Sequence, residues 1–209
     1  ASLICAVLKN GGYDARLNGN IGLPSLSSIE GATPSTVFVT ELSSYQLTGL
    51  NSSPHIAVLL NIVREHLDYH QTFDAYINTK QTITRFQSKD DYLIFNSSYK
   101  IPLEIAMNSS AKQISFGSKK TGRPDCFVEN GYISFLSNGN HERIIATHEV
   151  PLKGAFNLQN VMPAIAVGKI FSISTESIVS AIKNFTPLEH RLEFTGAFKG
   201  VSFYNDSLA

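Results

Sequence analysis

The sequence predicts an α/β fold: a mostly parallel β-sheet flanked by helices, with a small antiparallel β patch. Three observations carry that prediction. Thr36 to Thr40, Ile56 to Asn61 and Asp91 to Phe95 are short, continuous apolar runs of the kind found in strands buried on both faces. Segments with apolar residues at helical spacing alternate with them, the order that builds parallel βαβ units. From Cys126 to Ile145 the spacing changes to period two around Asn130-Gly131 and Asn138-Gly139, dipeptides suited to hairpin turns.

The elements follow in chain order. Leu3, Ile4, Val7 and Leu8 share one helical face, and Gly11-Gly12 follows as a glycine stop. Further helices are predicted over Phe73 to Phe86, Pro102 to Met107, Leu158 to Ile170 and Glu176 to Phe185. A last hairpin joins Glu193 to Ala197 with Val201 to Tyr204 through Phe198-Lys199-Gly200. No clear cap or loop precedes the first helix, and the chain stops in a polar turn at Ala209, so a piece of a longer protein is expected.

Composition narrows the function. At 209 residues, 43% of them hydrophobic, the chain can bury one substantial core. Seventeen basic residues balance seventeen acidic ones, so no broad cationic surface is expected and nucleic acid is not an expected partner. Cys5 and Cys126 form no CxxC pair, which fits a reducing, cytoplasmic compartment. The longest apolar runs fall far short of the roughly 20 residues of a membrane span, and Ala1 to Leu8 lacks the basic leader of a signal peptide.

Ligands of open α/β sheets collect beyond the carboxyl ends of the strands. Glu41 stands there, a hard carboxylate suited to magnesium or simply to water. Glu65, His66, Asp68 and His70 form a dense set of potential ligands after the second strand, although neither HExxH nor a cysteine pair frames them. Lys80 shares a helix face with Phe73, Tyr76 and Ile77. A lysine there must snorkel, pair or lose its proton, and a neutral amine can take up carbon dioxide as a carbamate. Asn157 and Asn160 could cap the helix they begin or contact a nucleotide. Arg191 could fork onto a phosphate or pair with Glu189 or Glu193.

Read together, these segments resemble the Mur ligase family in order. The runs are Asn18-Gly19-Asn20-Ile21-Gly22, Glu41-Leu42-Ser43-Ser44-Tyr45-Gln46-Leu47, Asn61 to His70 followed by Lys80, Gly154-Ala155-Phe156-Asn157-Leu158-Gln159-Asn160, His190-Arg191 and Asn205-Asp206-Ser207. The second run is most similar to the D-glutamate-adding branch. The resemblance implies the family's central ATP-binding domain, with a fold like the P-loop NTPases. It also implies an ATP-dependent ligase of peptidoglycan precursor synthesis that joins D-glutamate to UDP-N-acetylmuramoyl-L-alanine through an acyl phosphate. The expected cofactors are ATP and two magnesium ions, and the expected state is a cytoplasmic monomer with small-molecule partners and no membrane partner.

The resemblance also implies roles. Glu41 matches the ligand of the first magnesium, and His66 with carbamylated Lys80 the partners of the second. Asn157, Asn160, Arg191 and Asp206 match nucleotide contacts, and Asn20, Ser43 and Gln46 substrate contacts. The phosphate loop G-x-x-G-K followed by Ser or Thr is absent, as are the flanking N-terminal UDP-binding and C-terminal domains; Leu208 stands where many members carry Lys. The chain alone is therefore expected to be inactive. Two other readings share these features: a folylpolyglutamate-synthase-like ligase and a non-catalytic nucleotide-binding module.

Overall fold

The structure is a computed structural model that describes residues 1–21, 24–118, 124–137 and 139–207. Its centre is a six-stranded sheet whose strands lie in chain order: β3 (Ile56–Leu59), β4 (Tyr92–Asn96), β5 (Lys112–Gly117), β6 (Cys126–Glu129), β7 (Tyr132–Ser137) and β8 (Asn140–Ala146). The first four run parallel, and β6 to β8 continue antiparallel. A second ladder pairs β1 (Ala15–Gly19) with β2 (Val37–Glu41) in parallel, and a separate antiparallel hairpin joins β9 (Glu193–Phe198) to β10 (Val201–Asn205). The period-two region thus extends the parallel sheet rather than standing apart from it. Asn138, in one of the two expected turns, lies outside the described residues, as does Leu208.

Side-chain alternation explains why both faces of the parallel part are covered. On β4, Leu93 and Phe95 enter one core with Ala57, Leu59, Tyr76 and Ile105, while Ile94 between them enters the other. Helices α4 (Phe73–Arg85) and α5 (Lys100–Met107) cover the first face. Helices α1 (Ser2–Asn10), α6 (Ala155–Ile170) and α7 (Thr175–Lys183) build the larger core on the second. Residues 161–168 of α6 are all buried, so that helix reads as a continuous apolar run rather than an amphipathic stripe. Helices on both faces of the sheet make an α/β sandwich of three layers.

Two short strands and two single-turn α-helices are not among the predicted elements. Strand β1 carries Arg16 and Asn18 among few apolar residues, and β5 begins with Lys112-Gln113. Helices α2 (Ser44–Leu47) and α3 (Leu67–His70) are single turns, too short for a periodic signal. All but β5 line the rim where the candidate ligands lie. None of the helices among the described residues is long and apolar enough to cross a membrane.

Candidate functional site

The parallel register of β1 and β2 sets Gly19 beside Glu41 at their common carboxyl end. Gly19 has φ 96°, and a Cβ there would overlap the Glu41 carbonyl oxygen. Only glycine lets the two backbones approach so closely. The amide of Asn20 then donates to that same carbonyl at 2.8 Å. The Asn-Gly-Asn run is in this way the clamp that fixes where the Glu41 carboxylate emerges.

Two residues on, the chain turns into α2 through a capping box. The Ser43 hydroxyl accepts from the Gln46 amide at 3.3 Å, and the Gln46 side chain accepts from the Ser43 amide at 2.9 Å. Both residues are expected substrate contacts, and in this conformation they hold each other. The turn throws Tyr45 outward against the segment that follows β3. There His66 caps α3 in a left-handed conformation, φ 52° and ψ 36°, and Gln71 beyond the helix also has positive φ. Two such non-glycine residues around a single turn mark backbone that its surroundings hold in place.

An aromatic cluster supplies that hold. The Tyr45 ring lies 4.5 Å from Tyr69, 5.1 Å from His66 and 6.0 Å from His70, centroid to centroid. Tyr76 of α4, itself buried, stands 5.2 Å from His70 and 6.4 Å from His66. His70 is buried, and its Nε2 has no partner among the described residues.

Lys80 stands one turn beyond Tyr76, its Nζ 5.6 Å from that ring's centroid. Burial pushes the Lys80 amine below the ordinary lysine value, and the charges of Glu65 and Glu41 oppose that shift. Among the described residues Lys80 makes no hydrogen bond or salt bridge. Burial also pushes the Tyr76 phenol up, with Glu65 adding to it. Glu65 is the site residue that the motif reading left without a role; its place became visible only through its field on Lys80 and Tyr76.

A second cluster forms at the end of the chain. The β9–β10 hairpin returns Asp206 to Leu192, whose amide it accepts at 3.0 Å, and sets Asn205 Nδ2 2.7 Å from His190 Nδ1. His190 and Leu192 both have positive φ, so Arg191 is presented between two left-handed residues. His190, not Arg191, stands near Glu193, at 3.6 Å, and Arg191 has no salt bridge among the described residues.

The start of α6 makes a third cluster. Asn160 Nδ2 donates to Asn157 Oδ1 at 2.9 Å, and Asn157 Nδ2 to the Lys153 carbonyl at 2.6 Å. Gly154 occupies the cap position without a side-chain bond, so neither asparagine caps the helix. Gln159 accepts from Asn96 Nδ2 at 3.0 Å and from the Tyr99 hydroxyl at 3.3 Å. That network ties the beginning of α6 to the carboxyl end of β4, on the rim the sheet rule points to.

Among the described residues no three His, Cys, Asp or Glu side chains are arranged to hold a metal ion. Glu41 offers hard oxygen, and Lys80 is a desolvated amine facing two carboxylates. A protonated lysine would repel a cation, whereas its carbamate would add a hard anionic ligand beside Glu41. Only with Lys80 as its carbamate would this donor set suit a divalent cation.

A family profile described as the Mur ligase middle domain matches residues 2–168. The chain is 36% identical over 209 residues to the UDP-N-acetylmuramoylalanine--D-glutamate ligase of Geobacillus sp. strain WCH70, covering 100% of the chain and 46% of that relative. It is 37% identical over 211 residues to the protein of the same name from Acidobacterium capsulatum, again across the whole chain and 46% of the relative. The chain therefore spans about half the length of the curated relatives it matches. Among solved structures, MurF from Acinetobacter baumannii superposes with TM-score 0.71 at 18% identity, over 98% of this chain and 47% of that one. A pseudomurein peptide ligase type C from Methanothermus fervidus superposes with TM-score 0.68 at 18% identity, over 98% and 50%. These two likenesses speak for the fold.

Proposed function

The chain belongs to the Mur ligase family, and on that premise we propose that it is the central, nucleotide-handling part of a cytoplasmic ligase that joins D-glutamate to UDP-N-acetylmuramoyl-L-alanine. The name of the relatives at 36% and 37% identity supports this choice of substrates. The observation that carries the chemistry is Lys80: a desolvated amine 5.6 Å from the Tyr76 ring centroid, without a hydrogen-bond partner among the described residues and within the field of Glu65 and Glu41. The proposed reaction transfers the terminal phosphoryl group of ATP to the substrate carboxylate. The amine of D-glutamate attacks the resulting acyl phosphate, and phosphate leaves as the amide forms.

Each residue has a proposed task. The difficulty is to bring a triphosphate and a carboxylate together despite their like charge. Glu41 would hold the first magnesium, and His66 with Lys80 as its carbamate the second. Bound there, the ions would neutralise charge on phosphate and carboxylate oxygens. Arg191 would fork onto phosphate, as a guanidinium with no salt bridge among the described residues can. Asn157 and Asn160 would read the purine edge, and Asp206 the ribose. Asn20, Ser43 and Gln46 would contact the muramoyl-alanine part, the latter two with the hydrogen-bonding groups that their capping box leaves free.

The test uses the whole protein. Phosphate release from ATP is expected only when UDP-N-acetylmuramoyl-L-alanine and D-glutamate are both present, and a pterin acceptor should not replace the former. Glu41→Ala should lower turnover on the order of 10²-fold or more, the size seen when an electrostatic group is removed from a reaction centre. Undiminished turnover in that variant would overturn the reading.

A further inference from the structure

We propose that Tyr45 is a positioning residue for His66: its hydroxyl oxygen accepts a hydrogen bond from Nδ1–H of His66 and so leaves Nε2, with its lone pair, as the coordinating atom. The proposal rests on the reading of His66 as a metal ligand. A neutral imidazole carries one N–H and one lone pair, and which nitrogen carries which is set by what the other is bonded to. Ligating histidines nearly always donate their second N–H to a fixed partner. Here the Tyr45 hydroxyl lies 3.4 Å from His66 Nδ1, and no other hydrogen-bond partner of that ring exists among the described residues. A phenol can accept as well as donate, so it serves a ligating ring without a formal charge.

The surroundings make Tyr45 a fixed partner. The Ser43–Gln46 capping box sets the turn that carries it, and Tyr69 packs on its ring at 4.5 Å. His66 is fixed in turn by its left-handed backbone, with the His70 amide donating to its carbonyl at 3.0 Å. Tyr45 is 43% exposed, so removing its hydroxyl while keeping the ring leaves the core intact. The opposite polarity, Tyr45 donating to Nδ1, would put the proton on Nε2 and block coordination.

Two measurements on the whole protein separate the possibilities. Two-bond 1H–15N correlation spectra of 15N-histidine-labelled, metal-free protein report the His66 tautomer at a pH where the ring is neutral. The Nδ1–H form is expected, and Tyr45→Phe should shift the population toward Nε2–H. Mn2+, used as a paramagnetic probe in bicarbonate buffer, should bind about 10-fold or more weakly to Tyr45→Phe, the range for loss of a ligand's hydrogen-bond partner. An Nε2–H tautomer in the unsubstituted protein, or unchanged tautomer and affinity in Tyr45→Phe, overturns the positioning role. If His66→Ala still weakens Mn2+ binding in that case, His66 remains a ligand without Tyr45. Unchanged Mn2+ affinity in His66→Ala overturns both readings.

Discussion

Two half-buried lysines show how differently this fold treats the same side chain. Lys169, near the end of α6, lies 2.7 Å from Glu142 of β8 and 2.8 Å from the Thr175 hydroxyl, and Thr175 also donates to Glu142. Each charge there has a partner, as burial demands. Lys80, on α4, has burial without a hydrogen bond or ion pair among the described residues: its amine lies 5.6 Å from the Tyr76 ring centroid, and Glu65 and Glu41 act on it through space. A structure that satisfies Lys169 so fully could have satisfied Lys80. Leaving it open is what a group awaiting modification and a ligand requires.

The sharpest way to break the contrast is to remove each amine. Lys80→Met keeps a stem of similar length and deletes the group the chemistry needs, so turnover of the whole protein should fall on the order of 10³-fold. Its thermal stability should hold or rise, because a desolvated amine is lost. Lys169→Met should do the reverse, leaving turnover close to normal and costing about 1–2 kcal/mol through the stranded Glu142 carboxylate, a figure kept low because Glu142 is partly exposed. Parallel activity assays and denaturant melts check both arms. Equal activity losses in the two variants would erase the distinction.

The same contrast explains what the sequence made legible. The satisfied interior announces itself: Ile56 to Leu59 and Tyr92 to Asn96 are apolar runs, and α4 and α7 show helical spacing. Lys80 was readable too, because a lysine on the face of Tyr76 and Ile77 breaks the helix's own pattern. The rim was harder. Strand β1 pairs through its backbone with Asn18 and Gly19 in it, and α2 and α3 are held by a capping box and an aromatic cluster rather than by propensity. The Ser43-x-x-Gln46 spacing was an available signal for α2. Nothing in the sequence order signals that Glu65 faces Lys80, since that depends on where a loop returns to a helix.

Gly19 tests whether the rim is held by backbone fit. Gly19→Ala places a methyl group against the Glu41 carbonyl at a φ that L-residues avoid, at a cost of about 2–4 kcal/mol. The β1–β2 end must then open and carry Glu41 with it. A misplacement of about 1 Å at a reacting centre costs on the order of 10²-fold in rate, so turnover should drop further than the melt alone accounts for. A stability loss with unchanged turnover of the folded fraction would show that Glu41 does not depend on this contact.

The smallest expected effect is the most specific to the two lysines, because it concerns only protons. At Glu142, the bonds from Lys169 and Thr175 hold the carboxyl below its ordinary range, so that pair stabilises the fold above about pH 4.5 and loses its contribution as pH falls through the lowered value. At Lys80 the sign is opposite. Its folded value lies below the 10.5 of the unfolded chain, so between the two the unfolded state binds more protons and stability rises with pH. In CO2-free buffer the unsubstituted protein should therefore gain on Lys80→Met as pH climbs toward 10.5, by an amount within reach of denaturant titrations. Bicarbonate adds the discriminating arm: it captures only the neutral amine, so it should stabilise the unsubstituted protein and Lys169→Met alike while leaving Lys80→Met unmoved. A bicarbonate response in Lys80→Met would place the reactive amine elsewhere, and Lys80 would then be a buried stem like any other.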